Sequence, residues 1–337
     1  MLHIFRVNNY TTYVVAKLVI HRMGLDDSQY KFITARNLQT LPEDITRTIK
    51  SPFNYDPDPF PAPIKFWKGR QNLKNLDIFI DGIVENSVFS FYATNYSRKI
   101  NQFIASHKLC REVNFLEEGT ACYYPRSYLE TLYAPESNWK NWLVRRCNFG
   151  YRIKSWGFAP VVDNYYTLTD YALPGFDATN VYSSEAIIKS FSWQKQSIVD
   201  RENQLVIVLD SLSTLGYISR AEHIEAVVKA VTVIGKFDRW NFSNVYLKFH
   251  PVQTIDERKD FKARLREENI DIAYLPDDFI LESLVFNQCS CIFIGNCSSI
   301  LLYASMFGKV AMSFHSLLPN STVPNLPVVY WKFVKRL

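Results

Sequence analysis

The chain has 337 residues, 47% of them hydrophobic and 21% charged, a balance that excludes a disordered or fibrous protein. Its formal net charge of +5 is too mild for the basic stripe of a dedicated nucleic-acid binder. The length is long for one core and comfortable for two.

The N-terminal half alternates in type. Residues 2–7 read as a strand, 10–24 as a helix with apolar residues at helical spacing, and 30–36 as a strand. Residues 51–63 carry five prolines and read as an irregular loop. Residues 76–83 and 88–93 read as strands, 97–107 as a helix with Ser97 as its cap, and 112–119 as a strand ending at a glycine. From 123 to 195 the chain is rich in Tyr, Trp and Asn with short helical stretches, and 172–180 reads as a linker.

The second half alternates more cleanly. Strands are expected at 204–210, 244–251, 270–276, 290–296 and 309–314, and helices at 220–237, 257–268, 279–288 and 298–308. Such alternation implies parallel sheets with right-handed crossovers. The expected fold class is α/β, with two Rossmann-like domains at 1–175 and 176–337.

The start, MLHIFRVNNY, lacks a basic stretch followed by an apolar one, and Lys17 interrupts the most lipid-like segment. The six cysteines form no CxxC pair and read as reduced thiols. The expectation is a cytoplasmic protein. The C-terminal YWKFVKRL (330–337) has two readings: a peripheral contact with the inner membrane, or a last helix packing back on the N-terminal domain. The second is preferred.

Three constellations carry chemistry. Glu117-Glu118-Gly119 falls at the carboxyl end of a strand, where open α/β sheets place ligands. Strand alternation points its two carboxylates different ways, one outward and one bracing the loop. On its own the triplet also reads as a solvated turn. His250-Pro251 ends the strand NVYLKFHP; an imidazole there can bond a phosphate or pass a proton near neutrality, or be a loop histidine without a role. Gly295, Asn296 and Cys297 lead from a buried strand into Ser298-Ser299, which open a helix; the N–H groups and hydroxyls suit an anion, although one serine suffices for a plain cap. A weaker fourth stretch, LPDDFILESL, offers Asp277 or Asp278 as a cap and Glu282 as a carboxylate for ribose hydroxyls.

The order of these motifs resembles the bacterial sialyltransferases and polysialyltransferases of the GT-B type, which carry D/E-D/E-G, HP and paired-serine motifs. The resemblance implies two Rossmann-like domains with parallel sheets facing across a cleft. The N-terminal domain would bind the acceptor and the C-terminal domain the CMP-sugar. It implies inverting transfer of sialic acid, or a relative such as pseudaminic acid, from a CMP donor to a sugar hydroxyl of a capsule or lipooligosaccharide. Glu117 would be the general base, with Glu118 orienting it or the loop and Gly119 making the turn. His250, supported by Pro251, would bond the CMP phosphate. Ser298 and Ser299 would hold that phosphate, with Gly295, Asn296 and Lys248 in the same site and Glu282 on the ribose. No metal or other cofactor is expected, since hydroxyls, helix N–H groups and an imidazolium can offset one phosphate.

The sequence also departs from the pattern. Both acids are Glu, where the family triplet often contains Asp. Asp81 in FIDG (79–82) is a rival acid-glycine turn, and Asp56-Pro57-Asp58 is read as a turn and not as a metal motif. Two alternatives stay open: a GT-B transferase using CMP-Kdo or a UDP-sugar, and a non-catalytic partner in glycan assembly. A diphosphate donor predicts more basic residues near the serine helix, which has none before Lys309.

Overall fold

The computed structural model describes residues 1–34, 44–52, 66–132, 157–183, 203–235, 244–287, 290–318 and 325–337, with Leu38, Leu41, Arg152, 185–187 and Phe242. The prolines of 51–63 from Phe53 on, including Asp56-Pro57-Asp58, lie outside the described residues. The chain forms two compact units, Met1–Ser192 and Trp193–Leu337.

The first unit opens with β1 (Leu2–Val7) and α1 (Tyr10–Met23). In β1, Ile4, Phe5 and Val7 are fully buried, as expected of a strand covered on both faces. Asn9 caps α1 by accepting from the Thr12 N–H at 2.8 Å. Then follow β2 (Tyr30–Thr34), β3 (Thr48–Lys50), α2 (Phe66–Val84), β4 (Phe89–Ala93), α3 (Lys99–Ala105), β5 (Cys110–Leu116), α4 (Arg126–Leu132), β6 (Asn164–Thr167) and β7 (Ala178–Asn180). The sheet runs β3-β2-β1-β4-β5-β6-β7 with every neighbour parallel.

Three sequence expectations fail here. Residues 76–83, read as a strand, belong to α2: Leu76, Ile80, Ile83 and Val84 are buried at helical spacing while Ile78 is exposed. Asp81 is therefore a helical residue beside His107 at 3.4 Å, and no rival acid-glycine turn exists there. Ser97 does not cap α3; its hydroxyl donates to Asn95 and the cap position is Arg98. Finally, 172–180 is not a linker. Its end is β7, registered on β6 as Tyr165↔Ala178, so the units part at Ser192/Trp193 and not at 175/176.

The second unit contains β8 (Gln204–Val208), α5 (Arg220–Gly235), β9 (Asn244–Lys248), α6 (Ile255–Glu267), β10 (Ala273–Tyr274), α7 (Leu281–Phe286), β11 (Cys291–Gly295), α8 (Ser299–Met306), β12 (Val310–Ser313), α9 (Val328–Phe333) and β13 (Lys335–Arg336). Its sheet order is β10-β9-β8-β11-β12-β13, again all parallel. One face packs on α5 and α6 through Leu205, Ile207, Val227, Ile234, Phe261 and Leu265. The C-terminal segment closes this sheet. The Ser305 hydroxyl of α8 donates to the Phe333 carbonyl at 2.7 Å, and β13 pairs with β12.

Each sheet reverses its strand order once, between β1 and β4 and between β8 and β11. Ligands of open parallel sheets bind beyond the carboxyl ends of the strands at such switch points. Among the described residues no helix is long and apolar enough to cross a membrane.

Candidate active site

In the first unit the acidic turn stands just past β5. Glu117 is fully buried. Its Oε1 accepts from the Tyr123 hydroxyl at 2.7 Å and its Oε2 from the Leu168 N–H at 2.7 Å. Burial and the Glu117 charge push the Tyr123 phenol well above its ordinary pKa, so Tyr123 stays a donor. Gly119 has φ 146° and ψ −153°, a conformation open essentially to glycine alone, which lets the chain double back into a short 3₁₀ turn over Thr120–Tyr123.

Glu118 is only partly buried. Its Oε1 accepts from Asn8 Nδ2 at 3.0 Å, and its carbonyl accepts from Asn9 Nδ2 at 3.0 Å. Asn8 also donates to the Thr94 hydroxyl at 3.2 Å. Asn8, Thr94 and Glu118 lie just past β1, β4 and β5, so this carboxylate is tied to the switch point of the first sheet. Of the pair, Glu117 is the fully buried carboxylate held by two donors, and Glu118 the one that is only partly buried.

In the second unit β11 ends at Gly295. A Cβ there would lie 2.6 Å from the Val208 carbonyl oxygen, so Gly295 permits the close approach of β11 to β8. Asn296 is fully buried and builds the turn. Its Oδ1 accepts from His315 Nδ1 at 3.1 Å, and its carbonyl accepts from the Ser313 hydroxyl at 2.7 Å and the Tyr330 hydroxyl at 3.2 Å. Ser298 caps α8, accepting from the Ile300 N–H at 3.2 Å, which leaves its own hydroxyl proton to donate. Ser299 opens the helix half-buried, and its hydroxyl makes no hydrogen bond among the described residues. Two hydroxyl protons and the first-turn N–H groups therefore converge at one helix start.

His250 stands two residues past β9 in a tightly built turn. Its N–H donates to Gln253 Oε1 at 2.8 Å, and its Nδ1 accepts from the Val252 N–H at 3.3 Å. An accepting Nδ1 places the proton of the neutral ring on Nε2. Pro251 is exposed at the tip, and the buried Gln253 holds the turn from beneath. Thr254 then caps α6 through the Glu257 N–H at 3.2 Å.

Lys248 and Glu282 lie toward β10 and α7. Lys248 is buried and its Nζ donates to the Pro276 carbonyl, holding the loop before α7. Burial brings its pKa down to about 8, against the pull of Asp277, Asp278 and Glu282. The structure thus gives Lys248 a loop-holding contact where a phosphate contact was expected. Neither Asp277 nor Asp278 caps α7. Asp277 takes both oxygens to Arg258 at 2.9 Å, and the cap position is Ile280. Glu282 is buried in the first turn of α7.

Sequence reasoning passed over Asp210, Asn8, Gln253 and His315. Asp210 Oδ2 accepts from the Cys297 N–H at 3.5 Å, so a carboxylate stands between the strand ends of β8 and β11. Its signal was present: an apolar strand, LVIVL, running straight into an acid. Asn8, Gln253 and His315 carry no such signal and depend on partners distant in sequence. Among the described residues no group of three or more His, Cys, Asp or Glu is arranged to hold a metal ion.

The model of the alpha-2,8-polysialyltransferase family matches residues 31–313, and the chain belongs to that family. It is a glycosyltransferase of the sialyl-transferring kind with the GT-B fold. A 2,6-sialyltransferase from Vibrionaceae Photobacterium sp. JT-ISH-224, solved with CMP and lactose, is similar at TM-score 0.50 and 10% identity, covering 89% of this chain and 69% of that one. The MnaA–UDP co-structure from S. aureus is similar at TM-score 0.51 and 12% identity, covering 93% and 79%. At such identities the likeness shows the fold alone. No curated protein matches the chain in sequence.

Proposed function

We propose that the protein transfers sialic acid, or a related nonulosonic acid, from its CMP ester to a sugar hydroxyl of a bacterial surface glycan, with inversion and without a metal. The observation that carries this reading is the second switch point. A helix start with two donor hydroxyls stands on one side of β8 and the His250 turn on the other, a donor set sized for a single phosphate. The CMP and lactose held by the Photobacterium enzyme support a CMP donor and a glycan acceptor.

In this scheme Glu118 takes the proton from the acceptor hydroxyl as that oxygen attacks the anomeric carbon. Glu117, held by Tyr123 and Leu168, keeps the turn in place. The bond from the anomeric carbon to the phosphate oxygen breaks in the same displacement, which inverts the centre. The Nε2–H of His250, the Ser298 and Ser299 hydroxyls and the α8 N–H groups receive the charge that develops on the leaving phosphate. Glu282 holds the ribose hydroxyls, and Lys248 keeps the loop before α7 in place.

The test is nucleotide release from a panel of CMP-nonulosonates, CMP-Kdo and UDP-sugars with glycan acceptors, with and without chelator. The expected result is CMP release from a CMP-nonulosonate, unchanged by chelation. Turnover confined to UDP-sugars, or lost on chelation and restored by manganese, contradicts the reading. CMP binding with no turnover on any acceptor points to an assembly partner.

A further inference from the structure

The second unit holds a buried polar cluster that the transfer scheme leaves unused. Asp210, Ser213 and Thr214 lie in the loop after β8, His223 in the first turn of α5 and Glu257 in the first turn of α6. His223 is fully buried and Glu257 nearly so. The Thr214 hydroxyl donates to Glu257 Oε2 at 2.7 Å, and the Ser213 hydroxyl donates to Glu257 Oε1. His223 Nδ1 lies 2.9 Å from the Ser213 oxygen.

These bonds fix the tautomer. A serine hydroxyl has one proton, and Ser213 gives it to Glu257. His223 Nδ1 must therefore be the donor to Ser213. The neutral ring is left with a lone pair on Nε2, facing Asp210 Oδ1 at 3.7 Å. Two acceptors face each other, and Nε2 is buried without a hydrogen-bond partner. The other oxygen of Asp210 accepts from the Cys297 N–H, at the entrance to the serine turn.

A proton on Nε2 removes the mismatch, because an imidazolium donates from both nitrogens. Burial opposes that charge, while Asp210 and Glu257 favour it; the Phe261 ring stands perpendicular to the imidazole. Arg220 and Asp260, the charged pair across α5 and α6, offset each other. Burial prevails and holds the pKa of His223 below its ordinary value. A phosphate at Ser298 and Ser299 adds negative charge beside Asp210 and competes for the Cys297 N–H. Both effects favour an Asp210 that turns to a protonated His223.

We propose that His223 is a positioning residue of the donor site: it takes a proton from solvent at Nε2 when a nucleotide monophosphate binds the serine turn, and pairs with Asp210. The chain Asp210–His223–Ser213–Glu257 then joins the turn at Cys297 to the start of α6, and so sets the Ser298 and His250 turns relative to each other. The inference rests on the CMP reading of that turn.

The test is calorimetry of CMP binding to the full chain near neutral pH, in two non-phosphate buffers of different ionisation enthalpy. His223→Gln keeps a hydrogen-bonding side chain that cannot take up a proton, and Asp210→Asn removes the pairing charge. Wild-type protein is expected to take up roughly half a proton more than His223→Gln on binding, since linkage ties uptake to the change in pKa. CMP affinity of His223→Gln is expected to lose most of its pH dependence. Should His223→Gln fail to fold by circular dichroism, Asp210→Asn is read by the same measure. Equal uptake by wild type and variant overturns the proposal while leaving the CMP reading intact. Absence of any CMP binding to the wild type overturns that reading, and this inference with it.

Discussion

Tyr123 and Glu117 form a buried pair in the first unit, the phenol donating to the carboxylate at 2.7 Å. Because the second Glu117 oxygen is taken by the Leu168 N–H, the pair is a structural tie between the acidic turn and the segment after β6. Glu117→Gln places an amide donor against one of two existing donors. We expect it to cost about 1–3 kcal/mol of stability, the penalty for a buried polar group left unsatisfied. Denaturant unfolding of Glu117→Gln and Tyr123→Phe checks this, with the smaller loss expected for Tyr123→Phe.

The two serines should separate in their effects. Ser298→Ala removes a helix cap and is expected to cost about 1 kcal/mol of stability together with donor affinity. Ser299→Ala removes a hydroxyl with no partner among the described residues, so stability should stay level. Its CMP affinity should fall about tenfold or more, as for a lost hydrogen bond to a charged group. Thermal melts and CMP titrations of the same preparations read both quantities.

Gly295→Ala should fail for a reason unrelated to ligand. The added methyl meets the Val208 carbonyl at 2.6 Å and Leu301 Cδ1 at 3.3 Å, so β11 must move from β8. Overpacking of this kind costs about 1–3 kcal/mol. Loss of CMP affinity without loss of stability in this variant would place the glycine in the ligand site after all.

Stability should fall on mild acidification. Burial is the leading cause that holds His3, His107, His223 and His315 below the ordinary histidine value of 6.5. Between the depressed folded value and the ordinary one, the unfolded chain binds more protons than the folded chain. The unfolding free energy therefore rises with pH through that window, and the stabilisation is fully present above 6.5 and lost as pH falls. Urea midpoints measured from about pH 8 down to pH 5 should decline below the ordinary histidine pKa. A flat profile contradicts the burial of neutral imidazoles.

The fold was readable where strands are buried on both faces. Runs such as QLVIV and CIFIG are apolar throughout, and their alternation with helices implies a parallel sheet. The same density of Ile and Phe misled at 76–83, where the burial of Leu76, Ile80, Ile83 and Val84 follows a helical period. NYYT and ATN carry no apolar run, and β6 and β7 exist because β5 pairs with one and β6 with the other. The motifs do fall at the carboxyl ends of β5, β9 and β11, but which of Glu117 and Glu118 is fully buried was out of reach. It depends on Leu168, 51 residues further along, and on Asn8, 110 residues earlier. Likewise, the steric need for glycine at position 295 was hidden, because Val208 is its neighbour only in the folded sheet.

The central claim is that Glu118 is the acceptor base and Glu117 its brace. Steady-state CMP release from a CMP-nonulosonate, compared between Glu117→Gln and Glu118→Gln, tests it most directly. The account predicts that Glu118→Gln keeps wild-type stability and CMP affinity while kcat falls by roughly 10²- to 10⁴-fold, the usual contribution of a positioned base. A Glu118→Gln enzyme with wild-type kcat, beside a stable Glu117→Gln enzyme without turnover, would contradict it.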